Sequence, residues 1–133
     1  MLITTVTKNR EPIFQNDALA REAIDALYRT QNVQPFFLHG FVIMPDHCHF
    51  LLFVLESGSI SNIMNSYKTG VANGIGIGSI WQKRFHVRLV EDGMETLKYI
   101  HLNPVRSGLC NTSSDYPWSS ASGKWDVADL DCW

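Results

Sequence analysis

The sequence predicts an α+β fold, a sandwich of helices packed on one antiparallel sheet, and three observations lead there. Short runs rich in β-branched and aromatic residues alternate with segments of helical periodicity. Two apolar runs, 35–44 and 47–55, are separated only by Pro45-Asp46, which suits adjacent antiparallel strands and a tight turn. The 133 residues, 45% hydrophobic and 11% aromatic, are enough to bury the core of one domain. One folded unit spanning 1–133, with a turn-rich tail from about residue 111, is therefore expected.

Residues 2–7 (LITTVT) are β-branched and short, as a first strand should be, and the polar KNREP that follows is a loop. Asn16 or Asp17 caps a helix in which Ala20, Ile24, Leu27 and Tyr28 recur at helical spacing to about Arg29. The runs PFFLHGFVIM (35–44) and HCHFLLFVL (47–55) are both apolar enough to be central strands. From Ser59, the residues Ile60, Ile63, Met64, Tyr67 and Val71 keep a helical period until Gly70, Gly74, Gly76 and Gly78 loosen the chain. Residues 80–90 (IWQKRFHVRLV) mix β-favouring and basic residues and supply a last strand. Asp92, with Glu95 three positions on, opens a third helix in the manner of a capping box, and Pro104 marks its end because proline cannot continue the backbone ladder. The tail from Asn111 has no assigned element. The order strand-helix-strand-strand-helix-strand-helix is close to the ferredoxin-like plan, which hosts many functions and decides none.

A net charge of −2 argues against a general phosphate-gripping protein, which would be strongly basic. The distribution is more informative. Asp115, Asp126, Asp129 and Asp131 face only Lys124 beyond residue 110, leaving ten bases and nine acids before it. Half of those ten bases, Lys83, Arg84, Arg88, Lys98 and Arg106, fall within residues 81–106, so phosphate contacts are expected there. Cys48, Cys110 and Cys132 are odd in number and lack C-x-x-C spacing, which suggests neither a disulfide framework nor a four-cysteine zinc site. Residues 1–10 lack the pattern of a secretory signal, and no apolar stretch reaches the roughly 18 residues of a membrane span. A soluble, cytoplasmic protein is expected.

His47 and His49 lie two apart in a strand, so both leave one face with Cβ atoms ~6.5–7 Å apart, a spacing from which two imidazoles can converge on one ion. Cys48 alternates to the opposite face and is not a third ligand. Taken alone, an H-x-H pair is more often structural. Tyr99 and Asn103 are one helical turn apart, with Glu95 a turn earlier on the same face. A tyrosine can be a covalent nucleophile, but with an ordinary pKa of about 10 it needs a base, a metal or a positive field. On pattern alone Tyr99 is more often a packing residue and Asn103, before Pro104, more often a helix-end residue. Trp81-Gln82-Lys83-Arg84-Phe85-His86 interleaves aromatic and basic side chains, a composition suited to stacking bases and neutralising a single strand, or equally to an edge strand with solvated charges.

Five segments carry a resemblance when read together: ITTVTKNREPIF (3–14), HGFVIMPDHCHFLLFV (39–54), IWQKRF (80–85), YIHLNPVRSGL (99–109) and DYPWSSA (115–121). Over nearly its whole length the chain resembles the single-tyrosine HUH transposases, and within them the REP-associated tyrosine transposase group. MPDHCH and YIHLNPVRSGL, in this order and at this separation, are the specific part. The resemblance implies a ferredoxin-like HUH nuclease core in which His47 and His49 bind a divalent ion, Mg2+ or Mn2+. It implies Tyr99 as nucleophile and Asn103 as the amide that completes the metal site. The implied partner is single-stranded DNA with a hairpin beside the cleavage point, acted on through a 5′-phosphotyrosine during transposition by a homodimer. Lys83, Arg84 and Arg106 are candidates for backbone contacts and Trp81 for base stacking. Two other readings stay open: a non-catalytic nucleic-acid-binding module that stacks bases on Phe36, Phe37 and Phe53, and a metal-dependent hydrolase that uses His47 and His49 with water as nucleophile.

Overall fold

The computed structural model describes residues 1–130, so Cys132 lies outside the described residues. One antiparallel sheet is built from β1 (Leu2–Thr7), β2 (Phe36–Met44), β3 (His47–Val54) and β4 (Trp81–Arg88), in the order β2-β3-β1-β4. The helices are α1 (Asp17–Val33), α2 (Ile60–Ile75) and α3 (Gly93–Arg106). The fold is the expected α+β sandwich, with the β-α-β-β-α-β succession of the ferredoxin-like plan followed by one further helix.

Alternation along the strands divides the apolar residues into two clusters. Ile3, Phe41, Ile43, Cys48, Phe50 and Leu52 pack against α1 and α2 through Ala23, Ile24, Leu27, Ile63, Met64 and Tyr67. Leu2, Val42, Met44 and Leu51 point the other way and meet Ile100 of α3 together with Tyr116. α3 therefore covers the face from which His47 and His49 project. Its close approach is permitted at Gly40, where a Cβ would sit 2.2 Å from Leu97 Cδ1.

β2 was expected to be central and is instead an edge strand. It keeps the apolarity of a central one because the tail lies along its free edge. Ser119 bridges Val42, Ile43 N–H donates to the Trp118 carbonyl at 2.8 Å, and Ala128 N–H donates to the Leu38 carbonyl at 2.8 Å. Ser120 Oγ accepts from Phe41 N–H at 3.0 Å, and Tyr116 Oη donates to the Ile43 carbonyl at 2.7 Å. The edge that would recruit a foreign strand is thereby closed from within the chain.

The caps predicted at Asn16 and Asp92 form, and Ser59 adds a third. Asn16 accepts from Ala18 N–H and Leu19 N–H, Ser59 from Asn62 N–H, and Asp92 from Glu95 N–H. The far ends of the helices differ from expectation. α1 continues past Arg29 because Thr30 is buried and returns its hydroxyl to the Ala26 carbonyl. α2 passes through Gly70 and Gly74 and stops at Gly76, whose φ of 73° gives a left-handed cap. α3 runs through the buried Pro104 to Arg106, two residues beyond the predicted stop. Proline costs this helix one donor near its end, where few ladder bonds remain to lose.

Two glycine substitutions should move stability in opposite directions. At Gly58 a Cβ would meet the Pro35 carbonyl oxygen at 2.7 Å and Val54 Cγ1 at 2.8 Å, so Gly58→Ala should lower the unfolding free energy by about 1–3 kcal/mol. At Gly70, within α2, nothing lies within 4 Å, so Gly70→Ala should raise it by about 0.5–1 kcal/mol. Urea denaturation of both variants reads the two signs.

Candidate active site

The register of the sheet aims the histidines. β1 pairs with β3 so that Thr4 stands opposite His49, and β2 pairs with β3 so that Val42 stands opposite the same residue. The imidazoles of His47 and His49 project together, with ring centres 4.9 Å apart and planes at 81°. Each ring is held through Nδ1. Asp46 Oδ1 accepts from His47 Nδ1 at 2.7 Å, and Thr4 Oγ1 lies 2.8 Å from His49 Nδ1, where it can accept in the same way. Bonds of this kind favour the tautomer whose Nε2 carries the lone pair, the form in which an imidazole can hold an ion.

Asp46 is itself held. Its carbonyl accepts from Thr7 N–H at 2.9 Å and Thr7 Oγ1 at 3.0 Å, and Arg10 pairs with its carboxylate at 3.2 Å. Arg10 makes that contact from the left-handed region, at φ 53°, next to Asn9 at φ 57°. Partial burial alone would raise the Asp46 carboxyl, but hydrogen bonds and charge from His47 and then Arg10 hold it below the usual carboxylate range.

α3 supplies the other half of the site. Asn103 Nδ2 is 3.5 Å from His47 Nε2, and the Tyr99 ring centre is 6.4 Å from that of His49. All four residues singled out from the sequence meet within one chain. Among the described residues no third His, Cys, Asp or Glu joins the pair. Two imidazoles and one carboxamide would make a neutral donor set, one that suits a divalent ion and leaves it positions for phosphate oxygens. Tyr99 is half exposed and faces a cleft of about 710 Å³ lined also by Thr4, His49, Arg88, Asp92 and Glu95.

The remaining predicted residues are scattered. Lys83 and Arg84 are exposed on β4, an edge strand. Arg106 is exposed but turned back along α3, with its guanidinium 4.6 Å over the Tyr99 ring. Trp81 corrects its expectation: it is buried between Phe14 and Tyr67, its indole N–H donates to the Lys68 carbonyl at 3.2 Å, and it offers no face for a base. Phe36 is buried in the α1/α2 core, while Phe37 and Phe53 form an exposed pair on the other face, so these three do not make one stacking platform. Asp46 and Thr4 were missed as site residues. Asp46 adjoins His47 and could have been found as its partner, whereas Thr4 is 45 residues from His49 and only strand pairing reveals it.

Burial, then the neighbouring His47 and Arg106, push the His49 pKa down from 6.5 to about 4. The imidazole is thus neutral near pH 7, as a ligand must be. Because the folded value lies below the unfolded one, its contribution to stability is complete above about pH 6.5 and is lost as the pH falls toward 4. The metal-free protein should lose on the order of 3 kcal/mol from this group across that window. His49→Gln should flatten that part of the profile of unfolding free energy against pH, measured by denaturant titration.

Residues 1–103 match the family described as transposase IS200 like. The chain is 29% identical to the REP-associated tyrosine transposase of Escherichia coli over 71% of its own length, and it spans 60% of that protein. It is 28% identical to a Haemophilus influenzae relative of the same description, over 88% of this chain and 76% of the other. Among solved structures it is similar to a REP-associated tyrosine transposase bound to a REP hairpin, with a TM-score of 0.78 and 25% identity over 98% of this chain and 87% of that one. The match runs from β1 through Asn103 and so takes in both halves of the constellation: the chain belongs to the IS200-like transposase family.

Proposed function

We propose that this chain is a metal-dependent transposase that cuts and rejoins single-stranded DNA beside a hairpin, with Tyr99 as nucleophile. One observation carries the reading: two imidazoles from β3 meet a phenol and a carboxamide from α3, with His49 and Tyr99 lining one cleft. A divalent ion, Mg2+ or Mn2+, would be held by His47 and His49 through Nε2 and by the Asn103 carboxamide, and would supply Lewis-acid stabilisation of charge developing on the scissile phosphate.

Asp46 and Thr4 keep both imidazoles in the ligating orientation. Attack by Tyr99 Oη forms an oxygen–phosphorus bond and breaks the bond to the 3′ oxygen, which takes up a proton. The products are a 5′-phosphotyrosine and a 3′-hydroxyl. Since the phosphoester count is unchanged, a second 3′-hydroxyl can reverse the step and join new strands without ATP. Lys83 and Arg84 on β4, and Arg88 in the cleft, are candidates for holding the flanking backbone, while Glu91, Asp92 and Glu95, which also line the cleft, repel phosphate and bound its path. A homodimer remains part of the reading, but it would use a surface other than the β2 edge and would not be needed to complete the site. The cytoplasm, at the nucleoid, is where such a substrate is met; no helix among the described residues is long and apolar enough to cross a membrane.

With labelled hairpin-bearing single-stranded DNA and Mn2+, the protein should form a protein–DNA adduct that survives denaturation. Tyr99→Phe should abolish it while leaving the circular dichroism spectrum intact; cleavage persisting without adduct would instead indicate a hydrolase using water. Asp46→Ala, which frees His47, should weaken Mn2+ binding on the order of 10–100-fold in isothermal titration.

A further inference from the structure

The phenol of Tyr99 stands half exposed on α3, and a solvent-facing tyrosine has rotamers to spare. Two groups bound it here. His49 meets the ring at 68° from the sheet side, and the Arg106 guanidinium lies over the ring at 4.6 Å. The same guanidinium donates from Nη2 to the Tyr99 backbone carbonyl at 2.7 Å, reaching back seven residues along the helix. The turn it spans contains Pro104, which cannot supply the ladder bond to the Ile100 carbonyl. Arg106 thus adds a donor next to the weakest turn of α3 and a flat cation over the side chain that turn carries.

A guanidinium can do both because it is planar and presents five donors in a fixed fork; an ammonium of the same charge can do neither well together. Stacking over a tyrosine face is itself attractive. We infer that Arg106 is a positioning residue for the nucleophile: by stacking on Tyr99 and bonding its carbonyl, it selects the rotamer that points the phenol toward the histidine pair. This rests on the function proposed above, and it replaces the phosphate contact that composition suggested for the same residue. Misplacing a reacting atom by about 1 Å can cost on the order of 100-fold in rate without loosening substrate binding.

The test separates orientation from DNA affinity. Single-turnover adduct formation is measured at saturating hairpin DNA and Mn2+ for the parent chain, Arg106→Ala and Arg106→Lys, with hairpin affinity followed against salt. Arg106→Ala should slow adduct formation on the order of 100-fold, and Arg106→Lys should stay within about tenfold of it because charge alone does not stack. The slope of log affinity against log salt should not change. Three results overturn the inference: wild-type rates in Arg106→Lys, unaltered saturated rates in Arg106→Ala, or a salt slope reduced by about one with the rate kept, which marks a phosphate contact.

A second measurement needs neither DNA nor activity. With Tyr99 labelled as 3-fluorotyrosine, both Arg106 variants should shift the fluorine resonance of the free protein, and an unshifted signal overturns the stacking whatever the adduct assay gives. A parent chain that forms no adduct, yet whose fluorine signal moves in both variants, refutes the transposase chemistry while upholding the clamp.

Discussion

The site depends on one register. Thr4 faces His49 across the β1–β3 ladder, and a strand has two faces and no others. A slip of a single residue would turn both imidazoles into the apolar layer beneath α1 and α2 and present Cys48 and Phe50 to the cleft. The cost of that error is what makes the register secure. Phe50, Leu52 and Cys48 are fully buried, and Cys48 and Tyr67 pair so deep in the core that burial raises both groups above their usual ranges. The geometry of the histidine face is therefore enforced by packing on the other.

The second requirement is proximity between the sheet and α3. Gly40 leaves room for Leu97, and Ile100 with Val42, Leu51 and Tyr116 forms the small cluster that fixes the helix against the sheet. His101 bonds Ser120, and Ser120 bonds the β2 backbone, so the helix, the tail and the edge strand are linked through one hydroxyl. Such a foundation holds α3 firmly while the phenol of Tyr99, the proposed nucleophile, stays accessible.

Much of this was legible in the sequence, and the unread part has a common cause. His47 and His49 announce a shared face by spacing, Tyr99 and Asn103 do so by helical period, and the caps at Asn16, Ser59 and Asp92 are local events. Helix starts could be read, whereas their ends could not, because Pro104 and Gly70 lie inside helices that continue past them. Which strand lies at an edge is settled by residues far away, and β2 looked central because the tail gives it a central strand's environment. Trp81 looked like a stacking residue because its neighbours are basic, but Phe14 and Tyr67 claim it. Thr4 carries no mark of its role until strand pairing brings it to His49.

The strap along β2 also sets a schedule for synthesis. Tyr116 and Ile43 are 73 residues apart, so a ribosome that has finished the most apolar hairpin of the chain has several seconds of translation still to run before its cover emerges. During that interval a nascent chain displays an open, apolar strand margin that its own tail has yet to cover. Rare codons placed between the hairpin and the strap would lengthen the exposure, which makes elongation speed, and not only the finished molecule's free energy, a determinant of how much protein reaches its folded form.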